Sequence, residues 1–287
     1  MIRGSAADVP EISSFLHRHI AGSMFPLTNL LSHGIIGDAT ATPHPCDPRA
    51  QRIWFRRQAG AITDVLALTD EGAALPQLAG GDIDGAISVL QGRSLLGILG
   101  QAEQVSALRH GLGLSQAPCR IDHDEPHFTL ALSDLILPDL TGARLIPLRD
   151  APRALITQWC ADYEVEALGT PPGAAQAEAA RDIAAYLEND SHRVLLVDDA
   201  PVAMTGFNAT LPQAVQVGGV YTPPALRGRG HARAAVALHL LEARANGASL
   251  AILFAASVMA ARAYMALGFR QIGSYNLTLF DRPQRGG

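Results

Sequence analysis

Two consecutive prolines stop a β-type run and hand the chain to an arginine–glycine turn and an alanine-rich helix, in Val220-Tyr221-Thr222-Pro223-Pro224-Ala225-Leu226-Arg227-Gly228-Arg229-Gly230-His231-Ala232. Gln216 to Thr222 reads as a strand, with Val217 and Val220 supplying β-branched character. Proline cannot continue a ladder, so the strand ends at Pro223. Gly228 and Gly230 permit a tight turn and remove the Cβ atoms that would hold a ligand at a distance. From His231, residues Ala232, Ala235, Val236, Leu238, His239, Leu241 and Ala243 fall at helix-compatible spacing, up to the stop at Asn246-Gly247. A strand, a turn and a helix start in that order aim free backbone N–H groups at one point, which is an anion site. Arg227, Arg229 and Arg233 crowd the same end, where the helix dipole disfavours cations unless an anion is bound. The plainer alternative is an ordinary strand-to-helix connection.

Two phosphate-binding motifs are excluded. A Walker loop needs Gly-Lys-Ser/Thr, and the sequence has no lysine, so all 22 basic residues are arginine. A dinucleotide fingerprint needs Gly-x-Gly-x-x-Gly, but its last position is Arg233 and no acid ends the next strand near Phe254. That next strand, Leu250-Ala251-Ile252-Leu253-Phe254, is apolar throughout, as suits a strand covered on both faces. Ser257 is placed to cap a helix running through Tyr264 to Leu267 and closed by Gly268.

Arg227-x-x-Gly230-x-Ala232, followed by Tyr264-x-x-x-Gly268-Phe269, resembles the paired motifs of the GNAT acyltransferases. The resemblance implies an α/β fold with a mixed sheet flanked by helices, and acetyl-CoA as the acyl-donor cosubstrate. It implies that Arg227, Gly228, Arg229, Gly230, His231 and Ala232 hold the CoA diphosphate, with the backbone of Val220, Tyr221 and Thr222 along the pantetheine and polarising the thioester. Tyr264 would protonate the departing thiolate, a task that suits a phenol. Tyr264 is also explained as a core aromatic with its hydroxyl satisfied elsewhere. Many relatives carry Asn-Pro seven residues before that tyrosine, where this chain has Ser257-Val258. Serine can make one hydrogen bond to the pantetheine but lacks the paired amide geometry.

The chain is 287 residues long, more than one such domain needs, so two domains are expected. Apolar residues make up 48 % and charged residues 17 %, in the range of a globular protein with a sizeable core. A net charge of -5 argues against nucleic acid as a partner. Neither a signal segment nor a membrane-spanning run is seen. Cys46, Cys119 and Cys160 are few and widely spaced, as suits a reducing cytoplasm.

An offset of 155 residues lays Gly113 on Gly268 and Ser94 to Leu99 on Ser249 to Phe254 without a gap. Both copies read strand, helix, Leu-Gly-apolar, then a β segment (Phe128 to Leu132; Tyr275 to Phe280). Two tandem GNAT-like domains are expected, 1–140 and 141–287, with the first degenerate. Arg109 stands where the second copy has Tyr264. Leu78-Ala79-Gly80-Gly81-Asp82 offers glycines and an acid but no arginine. One active site is expected.

Residues 8–33 suggest two short helices, the first with an Ile12, Phe15, Leu16, His19 face, and Arg52 to Thr69 suggests a hairpin through Gln58-Ala59-Gly60. Asp150 is expected to cap a helix opening at Ala151-Pro152. Beyond that helix lies Asp162-Tyr163-Glu164-Val165-Glu166, where GNAT folds wall the acceptor site. Glu164 and Glu166 are candidates to take the proton from an attacking amine. The alternative is a solvated helix end. His123-Asp124-Glu125-Pro126-His127 has the composition of a metal site but reads as a hairpin tip, and His44 with Cys46 reads as an irregular loop, so no metal is expected. The expected function is transfer of an acetyl group to a small-molecule or peptide amine by a cytoplasmic monomer or homodimer. A non-catalytic acyl-CoA-binding module, or an enzyme with a hydroxyl or thiol acceptor, stands as the alternative.

Overall fold

The computed structural model describes residues 1–36 and 47–287, and His44 and Cys46 lie outside them. The N-terminal half holds β1 (Ile2–Arg3), α1 (Val9–Arg18), α2 (Ile20–His33), β2 (Gln51–Gln58), β3 (Ala61–Thr69), β4 (Ala73–Gln77), α3 (Ile83–Leu90), β5 (Ser94–Gln101), α4 (Ala102–Gly111) and β6 (Cys119–Ala131). There follow β7 (Ala143–Pro147), α5 (Arg153–Leu168), α6 (Pro172–Glu188), β8 (His192–Val197), β9 (Ala200–Leu211), β10 (Ala214–Tyr221), α7 (His231–Ala245), β11 (Leu250–Phe254), α8 (Val258–Met265) and β12 (Arg270–Arg285). The class is α/β, with strands paired both parallel and antiparallel.

The chain forms two compact units, Met1–Glu125 with Ser274–Gly287, and Pro126–Gly273. In the first, the strands run β1-β2-β3-β4-β5-β12, followed by the leading part of β6. Its hairpin turns through Ala59 (φ 48°) and Gly60 (φ 85°), the left-handed pair a two-residue turn requires. Ile12, Phe15 and Leu16 are buried along α1 as their spacing predicts. Leu66, Leu90, Leu95, Ile98, Val105 and Phe280 belong to its core.

In the second unit the order is the trailing part of β6, then β11-β10-β9-β8-β7. Pairing of β10 with β11 is parallel, and the remaining neighbours are antiparallel. One core holds Val215, Val217, Val236, Leu240, Leu253 and Tyr264. Another gathers Ile156, Trp159, Ile183, Val194, Met204 and Tyr221.

Two expectations are corrected. His123 to His127 is not a hairpin tip but the middle of β6, with Glu125 and His127 buried. Pro126 tolerates this because the strand changes units there: pairing with β11 starts at His127, and Pro126 offers only its carbonyl, to the Ala255 N–H at 3.1 Å. Nor does Asp150 cap α5. Ala151 and Pro152 are extended, the helix starts at Arg153, and Pro152 occupies the cap position with no side-chain bond.

Candidate functional site

Strands β10 and β11 lie side by side only as far as Val217 opposite Leu253. Beyond that point they share no pairs, while β10 keeps β9 through a register break between Gly218 and Tyr221. Gly219 sits at φ 60°, which marks a bulge. Side chains from neighbouring strands hold it. A Cβ on Gly218 would meet the Asn208 amide at 2.0 Å, and one on Gly219 would meet His192 Nε2 at 2.4 Å. The His192 ring is fully buried and stacks on Tyr186 at 3.5 Å between centroids. Burial, with Arg193 beside it, pushes its pKa down to about 3, so the ring is neutral. A bulged strand that parts from its parallel neighbour leaves backbone N–H and C=O groups facing the opening, able to pair with an extended ligand.

The strand ends at Tyr221, and Pro224–Leu226 forms one 3-10 turn. Gly228 (φ 76°) and Gly230 (φ 81°) then reverse the chain into α7, with Gly230 as N-cap. No side chain caps α7, its first turn carries no acid, and its first closing bond is Ala234 N–H to Gly230 O at 2.9 Å. The N–H groups of His231, Ala232 and Arg233 therefore lack intrahelical acceptors. A Cβ on Gly228 would meet nothing within 4 Å, so the turn is open to a ligand. Arg233 Nε and Thr222 Oγ1 are buried with no partner among the described residues. Orphan donors and helix dipole together match the needs of a diphosphate.

Arg227 is held in place by three contacts. Its Nε donates to Thr222 O at 2.8 Å, its guanidinium lies 5.7 Å from the Tyr221 ring centroid, and Nη2 donates to Glu166 Oε2 at 2.5 Å. Arg229 reaches Ala225 O at 3.5 Å. His231 is half-buried, and burial followed by Arg229 lowers its pKa.

On α8 the Tyr264 ring is buried and meets Phe269 edge-on at 6.0 Å, in the core that includes Val217 and against which Val220 packs. This core brings Tyr264 together with the diverging end of β10. Ser257 is the N-cap of α8, its Oγ accepting the Ala260 N–H at 3.1 Å. That bond occupies the hydroxyl as an acceptor and leaves its proton free to be donated.

The carboxylates of α5 divide between two environments. Glu166 is on Arg227, at the turn. Glu164 is buried, and its Oε2 accepts from Thr170 Oγ1 at 2.6 Å. Burial, then a hydrogen bond to Glu164 and the Glu164 charge, raise the Asp182 carboxyl to about 7. Asp162 was not singled out by the sequence, yet its Oδ2 accepts the Tyr221 hydroxyl at 3.3 Å and its Oδ1 accepts from Gln158 at 2.7 Å. The signal available was its spacing: Gln158 and Asp162 are four apart on one helix face. Nearby Cys160 is buried, and burial, with Asp182 next, pushes its thiol up to about 12.

The first unit carries the same strand arrangement without the same chemistry. Its parallel pair β4 and β5 matches only at Ala73–Ala74, and Pro76 and Gln77 follow on β4. Proline has no N–H to offer a ligand there. Oδ1 of the buried Asp64 accepts the Gly80 N–H at 2.9 Å and the Asp82 N–H at 3.3 Å, so a carboxylate of the protein fills that turn. The Asp82 side chain caps α3.

Residues 154–269 match the family described as Acetyltransferase (GNAT) family. Among solved structures, the chain is similar to a Drosophila protein at 13 % identity, covering 96 % of this chain and 97 % of that one, with a TM-score of 0.61. A GCN5-related N-acetyltransferase from Sphaerobacter thermophilus is 16 % identical over 100 % of this chain and 96 % of its own, with a TM-score of 0.53. An acetyltransferase of the GNAT family from Colwellia psychrerythraea is 11 % identical over 93 % and 97 %, with a TM-score of 0.51. At such identities the likeness is one of fold. No curated protein matches the chain in sequence. No helix among the described residues is long and apolar enough to cross a membrane, and no group of side chains there is arranged to hold a metal ion.

Proposed function

Residues 154–269 match the GNAT acetyltransferase family, and from that match we propose that the chain is a GNAT acetyltransferase that moves an acetyl group from acetyl-CoA directly to an amine in a ternary complex. The observation that carries the reading is the join of a diverging parallel pair, β10 and β11, to an open glycine turn with uncapped N–H groups. In this reading Arg227, Gly228, Arg229, Gly230, His231 and Ala232 hold the diphosphate. Backbone N–H and C=O groups of Val220, Tyr221 and Thr222 bind the extended arm, and one N–H polarises the acyl carbonyl. Ser257, already accepting from Ala260, donates its hydroxyl proton to the same arm.

The chemistry assigned to the side chains is a paired proton movement. As the amine nitrogen bonds the acyl carbon and the carbon–sulfur bond breaks, the Tyr264 hydroxyl gives its proton to the sulfur. The proton lost by the amine goes to a carboxylate of α5: Asp162 touches Tyr221 at the end of β10, Glu166 is bonded to Arg227 in the turn, and Glu164 is engaged by Thr170. A buried thiol held protonated at Cys160 fits direct transfer rather than an acyl-enzyme. The acceptor is a small-molecule or peptide amine, and the protein acts in the cytoplasm as a monomer or homodimer.

Calorimetry with CoA and steady-state assays on an amine panel test this. Arg227→Glu should weaken CoA binding by about a hundredfold by setting like charge at the diphosphate; unchanged affinity refutes the turn as its site. Tyr264→Phe should keep CoA affinity and lower kcat by about 10²-fold or more; full turnover removes the tyrosine as acid. Asp162→Asn, Glu164→Gln and Glu166→Gln, profiled against pH, identify the base as the variant that loses the acidic limb of kcat/KM.

A further inference from the structure

The first unit contains a polar cavity of about 310 Å³ that the acyl-transfer chemistry does not use. Its lining is Ser106 and Arg109 from α4, Ser115 from the turn after it, Asp122 and Asp124 from β6, and Asn276 from β12. Arg109 is the residue that the internal repeat lays on Tyr264, so this cavity stands where the second unit has its proposed proton donor. The Asp64 carboxylate bonded to the Gly80 turn, and Pro76 on β4, argue against a CoA molecule in this unit.

We infer that this cavity binds a small cationic amine that also carries a hydrogen-bond acceptor such as a hydroxyl. Two carboxylates face one guanidinium, which leaves an excess of one negative charge. Asp122 Oδ1 accepts from Arg109 Nη1 at 2.7 Å, Asp124 Oδ1 accepts from Asn276 Nδ2 at 2.7 Å, and the single Thr278 hydroxyl proton is committed to Asn276 Oδ1 at 2.6 Å. In both carboxylates the second oxygen takes no bond from the described residues, so two anionic acceptors remain for an ammonium group. Arg109 uses Nη2 on Ser115 O at 3.3 Å, while its Nε is buried without a partner. The hydroxyls of Ser106 and Ser115 line the cavity and can donate to a neutral acceptor atom on the ligand. The volume lies at the small end of ligand pockets, as suits a metabolite rather than a peptide.

Glucosamine and putrescine, each against its neutral counterpart of similar size (N-acetylglucosamine and 1,4-butanediol), are the probes for calorimetry on the full chain. One amine should bind saturably and its neutral counterpart at least about tenfold more weakly, the expected weight of a close charge pair. Asp124→Asn keeps the acceptor for Asn276 and removes the charge. It should lower amine affinity by about tenfold or more and leave CoA affinity as it was. Ser106→Phe fills the cavity from the exposed side of α4 without touching the charges and should abolish the same binding; it carries the test if Asp124→Asn melts early. Absence of saturable amine binding up to roughly 10 mM, about ten times the 1 mM of a weak ligand, overturns the inference. So does binding that survives both variants but is lost in Glu166→Gln, which would assign it to the second unit.

Discussion

Asp182 shows how one side chain ties the pH response of the protein to its packing. Burial is the largest cause of its raised pKa, followed by the hydrogen bond to Glu164 and the Glu164 charge, and the carboxyl titrates at about 7 against an unperturbed 3.8. The folded form thus holds a proton that the unfolded chain has released, which favours folding most below about 3.8 and less as pH rises through about 7. Asparagine in its place keeps a donor for Glu164 and cannot ionise. Asp182→Asn should therefore raise the melting temperature by about 4–8 °C at alkaline pH, where the wild-type carboxylate is charged, and leave it nearly unchanged at pH about 4. Thermal melts followed by circular dichroism across that range check it; a gain of equal size at both ends contradicts the titration. Tyr264 is instructive at the same scale: its ring is buried beside Phe269 in the core, as the core-aromatic reading expects, and Tyr264→Phe is what tests the proposed proton donation.

Among the elements, β10 departs most from regular geometry. Gly219→Ala would force a Cβ to 2.4 Å from His192 Nε2 at a left-handed φ of 60°. The buried ring cannot withdraw without unstacking from Tyr186, so we expect a loss of about 2–4 kcal/mol in stability and weaker CoA binding. Gly228→Ala meets no neighbour within 4 Å, and only its φ of 76° resists, so it should destabilise by about 1 kcal/mol. Denaturant titrations of the two variants separate packing from backbone strain; equal losses would dismiss His192 as the cause. Strand, turn and helix from Gln216 to Asn246 were legible because Pro223, the glycines and the alanine-rich spacing act locally. The bulge was not, since His192 and Asn208, which make Gly219 and Gly218 necessary, come from other strands. His123 to His127 misleads for a related reason: its polar, proline-containing composition is that of a turn, yet the sheet partners of β6 hold it extended.

For the whole chain, the offset of 155 residues raised the expectation of two domain-length halves, but it gave no sign of which sheet each closing strand joins. Phe128 and Leu130 on β6 face β11 in the second unit, while Tyr275 to Leu279 on β12 lie against β5 in the first. Tyr275 and Phe280 are each 1 % exposed, and Gly286 O accepts from the Gly92 N–H at 3.0 Å. Deleting 274–287 should therefore damage the unit that is remote in sequence. Amides of β5 should lose their exchange protection, and the first unit should lose roughly 5 kcal/mol or more, comparable with a domain's whole stability. The CoA affinity that we propose for the α7 turn should be unchanged. Hydrogen exchange resolved by peptide, with calorimetry beside it, reads both. Because β5 must wait for a strand that begins about 175 residues later, its pairing has high contact order. During synthesis the second unit can assemble first, although it is encoded second. The first unit cannot pair the free edge of β5 until residues 274–287 have been synthesised, and in that interval the edge is open to pairing with other chains.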